Sequence, residues 1–141
     1  MEISSQSKLF KKIFDEAFKN VKKKYTLTTN EILFLLQLDR NERNNSASEI
    51  VDELMITKSH LSKSIDSLYK RGYIEKMIDE GDKKIVRLFI SSNCDELMIE
   101  LKRIEKEMYK KIVAGINKDD LIVFERVLKQ IQNNFENFNK K

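Results

Sequence analysis

Short hydroxyl and long ammonium side chains share one face of the segment 57–70. Its apolar residues follow helical spacing, because Leu61, Ile65 and Leu68 recur at i, i+4 and i+7. The opposite face of this predicted helix carries Ser59, Lys63, Asp66 and Lys70, with Ser62 and Ser67 at its borders. Short hydroxyls allow a helix to approach a groove closely, and ammonium groups reach phosphates or hydrogen-bond acceptors. The segment therefore has the chemistry to bind a grooved polyanion.

More basic side chains lie near this face. They are Lys58, His60, Lys83, Lys84 and Arg87. Residues 46–91 as a whole hold eight basic and eight acidic residues. Within them, the acids Glu49, Asp52 and Glu53 cluster before Thr57, and the bases Lys58, Lys63, Lys70 and Arg71 follow it against Asp66 alone. Segregated charge is also typical of a solvated surface helix, so on charge alone that alternative stays open.

Helix-start signals define the elements that must hold these side chains. The runs 28–31 and 46–49 both have the form of a capping box, and Thr57 is a suitable N-cap for the next helix. Gly72 stands where a left-handed cap ends that helix. Because few residues separate the helices that begin at Ser46 and Thr57, they must cross at a large angle, as in a helix-turn-helix.

Two strands follow the predicted helix-turn-helix. Residues 73–78 and 85–90 are rich in β-branched and aromatic side chains, and the turn-forming run 79–82 separates them. This pattern predicts a β-hairpin with Lys83 and Lys84 near its tip. The hairpin is interpreted as the wing of a winged helix-turn-helix.

Amphipathic helices flank the winged region. The pattern predicts one helix over 8–24, a long helix that Ser92 begins with Asp95 in its first turn, and a last helix that Asn117 begins. The last helix carries a heptad seam of Leu121, Phe124, Leu128, Ile131, Phe135 and Phe138. An apolar stripe often packs only within its own chain. Here it is interpreted as a dimer surface, because all three flanking helices carry such stripes.

Composition favours one mainly helical domain. The 141 residues are 40% hydrophobic and include no proline and only three glycines. The N-terminal lysines precede no continuous apolar segment, and no stretch approaches the length of a membrane span, so a soluble, cytoplasmic protein is expected. The net charge of +4 permits an anionic partner without requiring one.

The segments 57–74 and 82–91 resemble a known family. The first is similar to the recognition helix and first wing strand of the MarR family of bacterial regulators, and the second is similar to that family's wing. Two positions differ from the family pattern. Lys84 stands where arginine is usual, and the turn at 55–56 lacks the common glycine.

The resemblance implies a fold and an assembly. The fold is mainly α with a small β-hairpin wing, in a single domain over 1–141. Dimerisation helices at 8–25 and 92–139 flank a winged helix-turn-helix DNA-binding unit at 28–91. The implied dimer contacts are Phe10, Phe14, Leu121, Phe124, Leu128, Ile131 and Phe135.

The resemblance also implies a function. The chain is expected to act as a homodimeric repressor that binds a pseudo-palindromic operator in double-stranded DNA, relieved by a small aromatic or anionic effector. The implied DNA contacts are Lys58, Ser59, His60, Ser62, Lys63, Ser67, Lys70, Lys83, Lys84 and Arg87. The alternative is a winged-helix adaptor whose basic helix meets an acidic protein.

Other chemistry has little support in the residues. With one histidine and one cysteine, neither a catalytic triad nor a zinc site of the usual ligands can be assembled, so no enzyme, metal or cofactor is expected. Cys94 is predicted in the first turn of a helix, where the dipole favours a thiolate. Asp95 and Glu96 beside it oppose that charge, which favours an ordinary, unreactive cysteine.

Overall fold

The computed structural model describes residues 3–41, 45–54 and 57–140. This part of the chain is mostly helical with one antiparallel hairpin, as the sequence predicts. The elements in chain order are α1 (Ile3–Ala17), α2 (Lys19–Tyr25), α3 (Thr29–Arg40), α4 (Ala47–Leu54), α5 (Lys58–Lys70), β1 (Ile74–Ile78), β2 (Val86–Ile90), a 3₁₀ turn (Ser92–Cys94), α6 (Asp95–Ile112) and α7 (Lys118–Asn139). No helix in the described ranges is long and apolar enough to cross a membrane.

The chain divides into two compact units, Met1–Met108 and Tyr109–Lys141. The first unit holds the hydrophobic core, to which α1 to α6 and the hairpin contribute. Its largest fully buried side chains include Phe18, Phe34, Leu35, Ile50, Leu61, Leu68 and Leu101. The second unit holds the end of α6 and α7. That the whole chain acts as one domain stays a prediction.

The N-terminal segment forms two helices, so the prediction of one helix over 8–24 was wrong. The break lies at Phe18, whose backbone departs from helical values at φ −96° and ψ 5°. Phe18 is fully buried, and its ring stacks on Phe14 at 4.4 Å between centroids. Hydrophobic periodicity registers the apolar face of both helices but not the break between them.

Helix α3 begins with the predicted capping box. The backbone N–H of Glu31 donates to Thr28 Oγ1 at 3.1 Å, and the Thr28 N–H donates to Glu31 Oε1 at 2.9 Å. The other carboxylate oxygen of Glu31 accepts from the Ser67 hydroxyl at 2.9 Å and lies 3.6 Å from Arg71. Because Glu31 is only 3% exposed, this carboxylate joins α3 to α5 inside the first unit.

A Glu31→Ala substitution is expected to destabilise the protein by about 2–4 kcal/mol, because it removes the cap and leaves buried hydrogen-bonding partners unsatisfied. Chemical denaturation followed by circular dichroism measures this. The control is Glu16→Ala on the exposed side of α1, with an expected change within about 0.5 kcal/mol. Equal stability of the two variants would show that the Glu31 contacts contribute nothing.

The end of α5 and the hairpin follow the sequence prediction closely. Gly72 adopts φ +77°, and Tyr73 N donates to Leu68 O at 2.9 Å, which closes the helix with a left-handed cap. Strand β1 pairs antiparallel with β2 in a register that sets Ile74 against Ile90. The predicted strands were one residue longer at their starts.

The long helix starts differently from the prediction. Ser91, rather than Ser92, is the N-cap: its side chain accepts from Asn93 N, and a 3₁₀ turn precedes α6, which begins at Asp95. The last helix begins after Asn117 as predicted, with the Asn117 side chain accepting from Asp119 N at 2.8 Å. The serine cap was misplaced because Ser91 and Ser92 are adjacent and equally suited to the role.

Three ion pairs join α6 to the helices before it. They are Lys24 with Glu100, Lys102 with Asp39, and Arg40 with Glu105. Leu97 and Leu101 on α6 are buried in the same unit. Helix α6 is therefore packed against the N-terminal helices and does not extend from them freely over this part of its length.

Candidate nucleic-acid interface

Helix α5 presents the hydroxyl and ammonium side chains that the sequence predicts on one helical face. Thr57 caps it, since the Thr57 hydroxyl oxygen accepts from His60 N at 3.3 Å. Its buried face consists of Leu61, Ser64, Ile65 and Leu68. Its exposed residues are Lys58, Ser59, His60, Ser62, Lys63, Asp66, Tyr69 and Lys70. The predicted polar face is therefore accessible along the whole helix.

The lysines of this face differ from Ser67 in their contacts with the described part of the chain. Within the described part of the chain, Lys58, Lys63 and Lys70 make no ion pair with a carboxylate. Ser67 differs, because it is half-buried and its hydroxyl donates to Glu31. The structure thus gives Ser67 an internal contact that the other polar residues of this face do not share.

The tip of the hairpin is held by hydrogen bonds from backbone N–H groups to aspartate side chains. One oxygen of Asp79 accepts from Gly81 N at 3.0 Å and from Asp82 N at 2.9 Å. Asp82 in turn accepts from Lys84 N at 3.0 Å. These contacts leave the side chains of Lys83 and Lys84 exposed, as the sequence predicts for a wing.

Arg87 has a different role from the one predicted. Its guanidinium lies 2.8 Å from Glu49 on α4 and 3.2 Å from Asp79 at the hairpin, and its side chain is only 24% exposed. It therefore joins the wing to the start of the helix-turn-helix and is not a free wing cation. Sequence reasoning missed this because Glu49 lies 38 residues away in the chain.

The carboxylates around Arg87 are held in their charged form. The pKa of Asp79 is lowered by its hydrogen bond with Arg87 and by the backbone N–H groups of Asp82 and Gly81. The pKa of Glu49 is lowered first by the Ser46 hydroxyl, which donates at 2.7 Å, and then by Arg87. Ser46 also caps α4, which confirms the serine cap predicted there.

These shifts predict that acid weakens the attachment of the wing. A carboxyl whose pKa is lowered by folding stabilises the folded state above its ordinary pKa, and this stabilisation is lost as pH falls through the folded pKa. The melting temperature should therefore decrease as the pH is lowered below about 4. In Asp79→Asn this dependence on pH should be shallower, whereas Glu80→Gln in the same turn should follow wild type. Identical melting curves for Asp79→Asn and wild type across this range would contradict the assignment.

Asn45, which is not among the predicted DNA contacts, also positions the hairpin. Asn45 Nδ2 donates to Leu88 O at 3.0 Å, and Leu88 N donates to Asn45 O at the same distance. Asn45 thereby adds a short stretch of pairing to β2 just before α4. In the sequence, Asn45 belongs to a polar run that marks only the end of a helix. No local pattern therefore predicts its contact with Leu88.

The helix face and the wing meet at one open cleft. The cleft has a volume of about 610 Å³ and is lined by residues of α4, α5 and the loop after the hairpin tip. Lys58 and Ser62 lie on its α5 side, and Lys84 lies on its wing side. The structure therefore brings together residues from the two predicted DNA-contact groups, although they are separated in sequence.

Cys94 has the properties of a packing residue. It lies in the 3₁₀ turn and not in the first turn of α6, is 1% exposed, and its thiol donates to Tyr73 O at 3.3 Å. Burial, and to a lesser degree Asp95, raises the pKa of the thiol. In the described part of the chain, no group of three or more His, Cys, Asp or Glu side chains is arranged to hold a metal ion.

The predicted dimer residues differ in exposure: Phe14 is buried, whereas Phe10 and most of those on α7 are exposed. Phe14 is 3% exposed and belongs to the core of the first unit, so it is not available for a partner. Phe10 is 50% exposed. On α7, the large apolar side chains that are exposed within the chain are Ile122, Val123, Phe124, Val127, Leu128, Ile131, Phe135 and Phe138. This apolar surface is wider than the predicted seam.

The arrangement of α4, α5 and the hairpin defines a winged helix-turn-helix protein. Residues 27–86 match the model of the MarR family. The match confirms, over this segment, the resemblance to the MarR family that the sequence had indicated.

The chain is also similar in sequence to known transcriptional regulators. The HTH-type transcriptional regulator BilQ of Clostridioides difficile is 29% identical over 82 residues, which are 58% of this chain and 55% of that protein. SarU of Staphylococcus aureus, also an HTH-type transcriptional regulator, is 32% identical over 102 residues, covering 70% of this chain and 39% of that protein. The chain thus spans about half or less of the length of these relatives, which are named as regulators and not as enzymes.

The fold is also shared with a solved MarR family regulator from Listeria monocytogenes, complexed with a 26mer DNA. The TM-score is 0.81 at 20% identity, over 95% of this chain and 89% of that one.

Proposed function

We propose that the protein is a cytoplasmic transcription regulator that binds specific sites in double-stranded DNA as a homodimer. The observation that carries the proposal is the exposed face of α5, hereafter the recognition helix. On this face the side chains of Ser59, Ser62 and Lys63 make no hydrogen bond or ion pair with the described residues. Hydroxyl and ammonium groups on a slim helix suit the base edges of the major groove, which distinguish all four base pairs. The relative from Listeria monocytogenes, solved with DNA, has the same fold.

A second copy of the chain is the partner that we assign to α7. Its described side chains are all exposed apart from the half-buried Leu121, so the helix has an apolar surface with nothing of its own unit to cover it. A two-fold dimer presents two recognition helices to successive major grooves, and this requires a pseudo-palindromic site with half-sites about one helical turn apart. Repression follows if such a site lies within a promoter, because the bound dimer excludes other proteins from it.

Relief by a small aromatic or anionic effector remains part of the proposal. Phe14 and Tyr25 are aromatic side chains that could line an effector pocket, but Phe14 lies in the core and Tyr25 packs against it. These positions support a packing role for both residues. The test of relief is therefore functional: a compound that lowers the affinity for the selected duplex must also shift the melting temperature of the free protein.

The proposed function is tested by selection of duplexes from a random-sequence pool, followed by binding isotherms on the enriched duplex and on a scrambled version. A regulator should prefer the enriched duplex by about 1,000-fold or more and lose affinity steeply as salt rises. An adaptor that meets an acidic protein would enrich no sequence. That result would overturn the proposal in favour of the adaptor.

The wing is expected to hold DNA without reading its sequence. Replacement of Lys83 and Lys84 together by alanine should weaken enriched and scrambled duplexes by similar factors and reduce the salt slope by about 2, if each lysine contacts one phosphate. Fluorescence anisotropy over a salt series measures both effects. A loss of sequence preference in this variant would instead assign base contacts to the wing.

A further inference from the structure

One pair of exposed residues near the recognition helix has no part in the contacts described above. The ammonium of Lys76 on β1 lies 4.4 Å from the centre of the Tyr69 ring on the last turn of α5. Tyr69 is 48% exposed, and Lys76 is exposed as well. Within the described part of the chain, Lys76 makes no ion pair with a carboxylate, so its charge remains available.

Tyr69 shares a helical face with residues of the proposed interface. It follows Lys58 by eleven positions and Ser62 by seven, and these intervals are about three and two full turns of an α-helix. The three side chains therefore point to the same side, with Lys58 and Ser62 lining the cleft and Tyr69 continuing the line. The cation–π contact places Lys76 beside that line from the hairpin side.

Distances along the helix indicate what Tyr69 and Lys76 would meet. Eleven residues of α-helix span about 16 Å, and the major groove of DNA is about 12 Å wide. A helix whose first turns reach the base edges therefore has its last turn beside the sugar-phosphate strand that borders the groove. A phenolic hydroxyl and an ammonium are both donors that phosphate oxygens accept.

We propose that Tyr69 and Lys76 form a phosphate-contact site for one DNA strand at the C-terminal end of the recognition helix. This inference rests on the proposed function and extends the interface beyond the residues that the sequence indicated. The ring of Tyr69 holds the Lys76 ammonium in place, which reduces the entropy lost when the lysine binds a phosphate. The site adds affinity and orientation without reading base sequence.

The test compares single variants by anisotropy on the selected and scrambled duplexes over a salt series. Lys76→Ala should weaken both duplexes by similar factors and reduce the salt slope by about 1. Tyr69→Phe keeps the ring and the ammonium contact, so it should retain the wild-type slope while losing part of the affinity. Tyr69→Ala combined with Lys76→Ala should cost less than the sum of the two single changes.

The matched control is Lys12→Ala, which removes the same charge from an exposed position on α1. It should bind both duplexes as wild type does, and circular dichroism should show every variant folded. If Lys12→Ala and Lys76→Ala weakened binding equally, the effect would be one of overall charge and the proposed site would be wrong. A wild-type salt slope for Lys76→Ala would show that Lys76 contacts no phosphate, and this would also overturn the site. After either of these results, binding of the wild-type protein to the selected duplex would still support the proposed function. A wild-type protein that binds no duplex would overturn both the proposed function and the phosphate-contact site.

Discussion

A Leu128→Glu variant is expected to be a folded monomer that has lost specific DNA binding. Leu128 lies in the middle of the apolar surface of α7 and is 41% exposed within the chain. In a two-fold dimer each substitution occurs twice, so two carboxylates enter one apolar interface. Burial of an unpaired charge costs several kcal/mol, which at two positions reduces dimer stability by more than about 1,000-fold. Analytical ultracentrifugation at micromolar concentration measures the dimer, and anisotropy measures the loss of binding.

The matched control for this variant is the neighbouring residue. Lys129→Glu changes charge by a larger amount but lies off the apolar seam, so it should remain dimeric. A wild-type protein that sediments as a stable, folded monomer at the same concentration would refute the dimer. A Leu128→Glu variant that stays dimeric would place the interface elsewhere.

A Lys63→Ala variant is expected to bind the selected duplex about 5- to 150-fold more weakly, which corresponds to about 1–3 kcal/mol for a lost base contact. Lys63 is exposed near the middle of the recognition helix and has no ion pair in the described residues. Ser62→Ala should act in the same direction. Because a base contact is lost, the preference among related duplexes should change at one position of each half-site.

The comparison that isolates this effect is between the selected and scrambled duplexes. Lys63→Ala should narrow the ratio of the two affinities, whereas Lys106→Ala, an exposed lysine on α6, should leave it unchanged. If Lys63→Ala kept the wild-type ratio of affinities for the selected and scrambled duplexes, Lys63 would contact only the sugar-phosphate backbone of the DNA. If the double alanine variant of Lys83 and Lys84 also lost its preference for the selected duplex, the wing would read the sequence and the recognition helix would only hold the DNA.

Local signals in the sequence were sufficient for most elements of the winged region. The caps at Thr28 and Thr57 and the left-handed cap at Gly72 all involve residues within a few positions of one another. The hairpin was likewise predicted to within one residue, because alternation and turn residues are also local. These elements determine where the free side chains of the recognition helix lie.

The roles of several polar residues depend on contacts between distant parts of the chain. Ser67 faces Glu31 across 36 residues, and Arg87 faces Glu49 across 38. On a helical wheel or in a strand pattern, both looked like free surface groups. Composition and spacing identify a polar side chain but not its partner, so the sequence did not indicate the internal contacts at these two positions.

In the proposed complex, two recognition helices of one dimer read a duplex in successive major grooves. Hydroxyl-radical footprinting of the selected duplex tests it most directly, because this method resolves protection at single nucleotides on each strand. A dimer bound in this way should give two symmetric protected regions whose centres lie about 10 base pairs apart. Protection of a single half-site, or uniform weak protection along the duplex, would contradict it.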